Sequence, residues 1–84
     1  MPVISRFYGL VIRMYPRDSE HEPPHIHVLY GGEMCTINLL NCARERGKIP
    51  ARAFGMAVEW TEKYQTELLE MWKTEKITKL PPLE

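Results

Sequence analysis

Apolar and polar residues alternate through the first part of the chain with the two-residue period of strands that bury one face. Residues 10–15 predict a strand, and the apolar positions from 4 to 8 extend this pattern toward the N-terminus. The next segment, residues 16–24, is polar and contains three prolines, which predicts a loop.

A β-hairpin is predicted after this loop. Residues 25–30 predict one strand, Gly31-Gly32 predicts a two-residue turn, and residues 33–39 predict the returning strand. Residues 41–48 predict a further turn or short strand, which Gly47 interrupts.

The hydrophobic spacing changes to a helical period after Pro50, a residue suited to a helix start. The pattern predicts one helix over residues 51–74, with a length of roughly 36 Å, in which Gly55 is a weak position. Its core-facing stripe consists of Phe54, Ala57, Val58, Thr61, Leu68 and Trp72. Its polar face consists of Arg52, Glu59, Lys63, Thr66 and Glu70.

Strands followed by a helix predict an α+β fold. We expect one domain over residues 1–84, with a small antiparallel sheet of about three to four strands within residues 4–48. One long helix over about 51–74 should pack on one face of this sheet, followed by a short C-terminal tail.

The two-residue turn also predicts the register of the hairpin, because it places Tyr30 opposite Glu33. The helix-covered face then carries Ile26, Val28, Cys35 and Ile37. The other face carries two opposed polar pairs, His25 with Asn38 and His27 with Thr36, which Arg13 or Tyr15 is able to join from a neighbouring strand.

This polar cluster contains two of the three histidines of the chain; the third, His21, lies in the preceding loop. Three chemistries remain open. His21, His25 and His27 are candidate ligands for zinc, nickel or manganese. Alternatively, His25 and His27 act as base and acid in phosphodiester cleavage, with Thr36, Asn38 and Arg13 as further catalytic candidates. In the third reading, the proline-rich segment and its imidazoles are structural.

Charge gives only local support for a nucleic-acid partner. Eleven basic and eleven acidic residues cancel, whereas proteins that bind nucleic acid through its phosphates usually carry a basic excess. A basic cluster nevertheless precedes and enters the helix, and it suits either phosphate contact or a solvated loop: Arg44, Arg46, Lys48 and Arg52.

The remaining features predict a cytoplasmic protein. Cys35 and Cys42 fit no zinc or redox motif and are interpreted as reduced thiols. The N-terminus lacks the apolar region of a signal peptide, and no stretch reaches the roughly 18 apolar residues of a membrane span, so we expect no membrane contact.

One flank of the helix carries Trp60, Tyr64 and Met71 beside the core stripe. Such residues are enriched in protein interfaces, so the flank predicts contact with a small protein partner or a second copy of the chain. The alternative is that these side chains cover the sheet edge or pack on the C-terminal tail.

Several segments resemble one bacterial family. They are the opening residues 1–9, the run His21-Glu22-Pro23-Pro24-His25-Ile26-His27, the pair Glu59-Trp60 and the run Leu68-Leu69-Glu70-Met71-Trp72. Together they resemble domain of unknown function 4160 over nearly the whole chain. Two departures are a longer loop at residues 16–20 and Met71 in place of a polar residue.

The resemblance implies a cytoplasmic component of a toxin–antitoxin-like gene pair that works with a small protein partner. It implies no substrate and no catalytic residue. We therefore expect a partner-binding protein with the histidine cluster as its functional site. The alternative is a histidine-dependent nuclease or metal-binding hydrolase that acts on RNA or another phosphodiester.

Overall fold

The computed structural model describes residues 2–15 and 22–84, and within them five strands form one antiparallel sheet. The strands follow one another across the sheet in chain order. They are β1 (Val3–Phe7), β2 (Leu10–Arg13), β3 (His25–Tyr30), β4 (Glu33–Asn38) and β5 (Arg44–Gly47). The α+β class and the antiparallel sheet are confirmed, but the prediction of three to four strands was wrong.

The first additional strand results from a turn at Tyr8-Gly9. Phe7 pairs directly with Leu10, and both turn residues have positive φ, 48° for Tyr8 and 82° for Gly9. Two positive φ values match the right-handed twist of a hairpin. A tyrosine rarely adopts this conformation, so the sequence does not indicate a turn here. The apolar pattern was therefore interpreted as one strand that extends toward the N-terminus.

The second additional strand is β5. Its four residues are all exposed and therefore show no apolar alternation. Its pairing with β4 shifts register between Thr36 and Ile37, since Thr36 is opposite Arg46 and Ile37 is opposite Arg44. Glu45 is thus the extra residue of a β-bulge. Gly47 ends the strand with φ 73°, and a Cβ there would overlap the Met34 carbonyl oxygen.

Two helices, α1 (Ala51–Lys63) and α2 (Gln65–Thr74), replace the single predicted helix. The predicted start after Pro50 and end at Thr74 are confirmed, but the uninterrupted helix was wrong. Tyr64 separates the two with φ −111° and ψ 20°. A straight helix of roughly 36 Å would exceed the largest dimension of the molecule, 31 Å, so the break keeps both helices against the sheet.

Gln65 anchors α2 at this break. Its side-chain amide donates to the Leu39 carbonyl oxygen at 2.7 Å, just beyond the end of β4. The Tyr64 ring packs on Trp60, with ring centroids 5.4 Å apart. These tertiary contacts specify the position of the break, which helix propensity alone does not.

One hydrophobic core lies between the sheet and the helices. The sheet contributes the predicted inner face, including Ile26, Val28, Cys35 and Ile37, all fully buried. The helices contribute Ala53, Ala57, Trp60, Thr61, Leu68, Met71 and Trp72. The predicted stripe is therefore correct for Ala57, Thr61, Leu68 and Trp72, whereas Phe54 and Val58 are half-buried and Trp60 is the largest core side chain.

The C-terminal tail covers the outer edge of β1. The Leu80 N–H donates to the Ile4 carbonyl oxygen at 2.9 Å, and the Trp60 indole N–H donates to the Pro81 carbonyl oxygen at 2.8 Å. The tail therefore completes the core beside Trp60. Within the described part of the chain, neither helix has the length and apolar character needed to cross a bilayer.

Candidate functional site

The predicted register of the histidine strand is confirmed. His25 is opposite Asn38 and His27 is opposite Thr36 across β3 and β4. The row through His27 continues to Arg13 on β2 and to Arg46 on β5. Neighbouring strands lie about 4.8 Å apart, so this row brings two cations, an imidazole and a hydroxyl together on the face opposite the core.

Backbone and aromatic contacts orient His25. Its Nδ1 lies 2.8 Å from the Pro23 carbonyl oxygen, which only accepts, so Nδ1 carries a proton. Neutral His25 consequently has its lone pair on Nε2. The imidazole also packs on Trp72, with ring centroids 5.2 Å apart, and the Trp72 indole N–H donates to Glu22 Oε2 at 2.9 Å.

His27 lies between His25 and Tyr15. Its ring centroid is 5.3 Å from that of His25 and 4.5 Å from that of Tyr15, whose ring meets it edge-on. Beside it, Arg13 Nε is buried and has no hydrogen-bond partner within residues 2–15 and 22–84. A buried guanidinium nitrogen without a partner is costly, which favours an anionic group binding here.

The β4–β5 side of the site is more buried than an open face would be, since Thr36 is 5% and Asn38 7% exposed. Thr36 Oγ1 accepts from the Arg46 backbone N–H at 3.1 Å. Asn38 Nδ2 donates to Glu45 Oε2 at 3.0 Å, and its Oδ1 accepts from the Leu40 N–H at 2.7 Å. Asn38 therefore holds Glu45 and the strand end in place.

These side chains surround a cavity of about 210 Å³. Its lining consists of Glu22, Pro23, His25, His27, Met34, Thr36, Glu45 and Arg46. Of the predicted catalytic residues, His25, His27 and Thr36 line the cavity, Asn38 adjoins it through Glu45, and Arg13 pairs with His27 on the neighbouring strand. The structure thus brings the five predicted residues into one neighbourhood.

The structure gives less information on the predicted metal site. His21 lies outside the described residues, and among those described no group of three histidine, cysteine, aspartate or glutamate side chains is arranged to hold a metal ion. Metal binding by His21, His25 and His27 therefore stays a prediction.

Neither cysteine belongs to the site. Cys35 faces the core, as the register predicts, and burial raises its pKa against an opposing effect of the Arg44 charge. Burial also raises the pKa of Cys42, and the negative charge of Glu62 raises it further. Both side chains are therefore protonated thiols near neutral pH rather than thiolate nucleophiles or ligands.

The structure places two of the three predicted interface residues in the core. Trp60 is fully buried, Met71 is 6% exposed, and Tyr64 is half-buried. The contacts match the alternative of packing on the tail, because Trp60 donates to Pro81 and Met71 Sδ accepts from the Thr78 N–H at 3.2 Å. The tail thus covers much of this flank, and contact of the flank with a partner stays a prediction.

Sequence reasoning missed two residues of the site. Glu45 reaches the cavity because of the β-bulge. A bulge cannot be predicted from a run of charged residues in a fully exposed strand. Trp72 was predicted as a core residue only, yet its indole edge also reaches Glu22 and its ring contacts His25. Pro23 and His25 are only two residues apart, and this short separation could have suggested the hydrogen bond that orients the imidazole.

Comparison with curated proteins and with solved structures gives no match. The family model described as domain of unknown function DUF4160 matches residues 9–73. This span contains all three histidines, both arginines of the polar row, Glu45 and Trp72. Because the match covers well over half of the chain, the protein belongs to the DUF4160 family.

Proposed function

We propose that this protein is a small histidine-dependent phosphodiesterase, with RNA as its substrate class. The observation that carries the proposal is the adjacent pair His25 and His27 in one cavity with Arg46. Two imidazoles supply a base and an acid, and an arginine stabilises the charge that develops on phosphorus.

The reaction we propose is transesterification through the 2′-hydroxyl. His25 Nε2 accepts the 2′-hydroxyl proton while the 2′-oxygen bonds to phosphorus. The bond from phosphorus to the 5′-oxygen breaks, and protonated His27 donates a proton to this leaving oxygen. The products are a 2′,3′-cyclic phosphate and a free 5′-hydroxyl, so no further reactant is consumed. Arg46 and Arg13 would face the negative phosphoryl oxygens.

The test measures RNA cleavage by the purified protein and by His25→Ala, His27→Ala and the double variant. We expect each single substitution to lower the cleavage rate constant about 10²- to 10⁴-fold, the usual contribution of general acid–base groups. Unchanged urea denaturation midpoints would establish that the variants remain folded. Full activity in the folded double variant would contradict the proposal, and activity that depends on added metal and on His21 would favour the metal-bound alternative.

A second candidate function is binding a small protein partner in a toxin–antitoxin-like pair in the cytoplasm. The observation that favours it is Met34, an apolar side chain on the cavity lining that is 43% exposed. A partner that covered Met34 would close the cavity, as an inhibitor of a toxic enzyme must. The two functions are compatible, since a toxin is both an enzyme and a binding partner.

This candidate is tested by co-expression with the protein of the neighbouring gene. We expect Met34→Glu to weaken the complex at least tenfold in binding titrations, because it places a charge in an apolar contact. Leu40→Glu is the matched control, because Leu40 is 62% exposed and does not line the cavity. Equal weakening by both variants would contradict a contact centred on the cavity.

A further inference from the structure

Three cations follow the outer edge of the sheet: Arg44, Arg46 and Lys48. We call them the edge strip. All three are exposed, and none forms an ion pair with a carboxylate of the described residues. Glu45, the acidic residue between them, is held by the Asn38 side chain. Three cations against this one carboxylate leave residues 44–48 with an excess of positive charge, although the whole chain is neutral.

The two outer strands of the sheet differ in accessibility. The tail covers β1 through the bond from Leu80 to Ile4. The outer edge of β5 carries no further strand within residues 2–15 and 22–84. A ligand that follows the sheet edge is therefore accommodated at β5 rather than at β1.

The edge strip is continuous with the cavity, because Arg46 belongs to both. Arg44 is opposite Ile37 of the core face and Arg46 is opposite Thr36 of the cavity face, so their side chains lie on the two sides of the edge. Residues 44–48 extend over at most about 13 Å at a strand's rise per residue, because the β-bulge shortens the run. One extended phosphate backbone that follows the edge is within reach of cations on both sides, which fits a single strand better than a duplex. A chain lying along it would bring one of its phosphodiesters to His25 and His27.

We infer that the edge strip binds the backbone phosphates of single-stranded RNA and directs the chain into the histidine cavity. This inference rests on the proposed function, since RNA is favoured over an acidic protein segment by the continuity of the strip with that cavity. Arg44 and Lys48 contact phosphates on either side of the one at Arg46. They act in binding, whereas His25 and His27 act in cleavage.

The experiment measures binding of a short 2′-O-methylated oligouridine, which cannot be cleaved through its 2′-oxygen, by fluorescence anisotropy at several salt concentrations. For a single strand, the logarithm of the binding constant falls with the logarithm of the salt concentration, with a slope of about −0.7 for each phosphate contact. Three contacts predict a slope near −2, so the affinity should fall about 20-fold between roughly 50 and 200 mM salt. For Arg44→Ala/Lys48→Ala we expect a fall of only about threefold over the same interval.

The charge-matched control is Lys73→Ala/Lys76→Ala, at two exposed positions away from β5, which should keep the wild-type slope. Binding and cleavage are measured separately, so a protein that binds the oligouridine with the predicted slope but does not cleave RNA would contradict the proposed catalysis and leave the strip supported. An unchanged slope in Arg44→Ala/Lys48→Ala would overturn the inference. Equally tight binding of polyglutamate would also overturn it, by identifying a site for acidic proteins.

Discussion

At the residue scale, the position of His25 depends on groups outside its own strand. Pro23 accepts from one ring nitrogen, Trp72 packs on the ring, and Glu22 accepts from the Trp72 indole. The loop that precedes β3 is thus tied to the end of α2 through the imidazole. A change at Trp72, which does not line the cavity, should therefore alter the position of His25 without removing a cavity residue.

Trp72→Phe tests this arrangement, because phenylalanine keeps an aromatic ring against His25 but cannot donate to Glu22. We expect the free energy of unfolding to fall by about 1–2 kcal/mol, since a hydrogen bond to a charged acceptor is lost and some buried volume is removed. RNA cleavage should fall severalfold while binding of the uncleavable oligouridine is unchanged. Urea denaturation and cleavage kinetics measure these effects.

Glu22→Gln is the control for this substitution, because its side-chain oxygen still accepts from the indole. It should therefore keep most of the stability and the cleavage rate that Trp72→Phe loses. Loss of cleavage in Glu22→Gln at unchanged stability would instead show that the charge of Glu22, rather than its hydrogen bond with Trp72, is required. If Trp72→Phe cleaved RNA at the wild-type rate, Trp72 would have no positioning role.

At the element scale, the central hairpin could be predicted from sequence because two independent constraints agree there. Gly31 adopts φ 60°, which a two-residue turn requires, and the period-2 pattern assigns the apolar residues to one face. A one-residue slip would have moved His25 and His27 into the core. The turn and the period together therefore predicted the opposed pairs His25 with Asn38 and His27 with Thr36.

The elements that were missed lack such local constraints. The turn at Tyr8-Gly9 depends on a non-glycine residue with positive φ, and β5 has no apolar alternation because every residue in it is exposed. The break at Tyr64 is accompanied by the bond of Gln65 to Leu39, a tertiary contact that local sequence does not reveal. Site residues contributed by regular pairing were thus predictable, whereas Glu45, contributed by a β-bulge, was not.

At the scale of the whole molecule, net charge gave an incomplete indication of function. The chain is neutral, yet cations are exposed along β5 at Arg44 and Arg46 and just after it at Lys48. Acidic residues such as Glu59, Glu62 and Glu67 are exposed on the helices. A local excess of cations allows a neutral protein to bind an anion at one edge, because the field near a surface depends on local charges.

The C-terminal tail stabilises the molecule as a whole, because it covers the largest core side chain, Trp60, and the edge of β1. Removing residues 79–84 deletes two hydrogen bonds and exposes apolar surface of Leu80, Leu83 and the core. We expect the free energy of unfolding to fall by about 3 kcal/mol, from roughly 1 kcal/mol per bond and the remainder from apolar burial.

Trp60 itself reports this change. In a Trp72→Phe background it is the single tryptophan, since the chain has two. Truncation should shift its fluorescence to longer wavelength and increase quenching by acrylamide, whereas removal of Glu84 alone, an exposed residue, should leave both unchanged. Because the histidine cavity is lined by residues 22–46, the truncated protein should still bind the oligouridine below its unfolding temperature. Unaltered emission after truncation would mean that the tail does not shield Trp60 in solution.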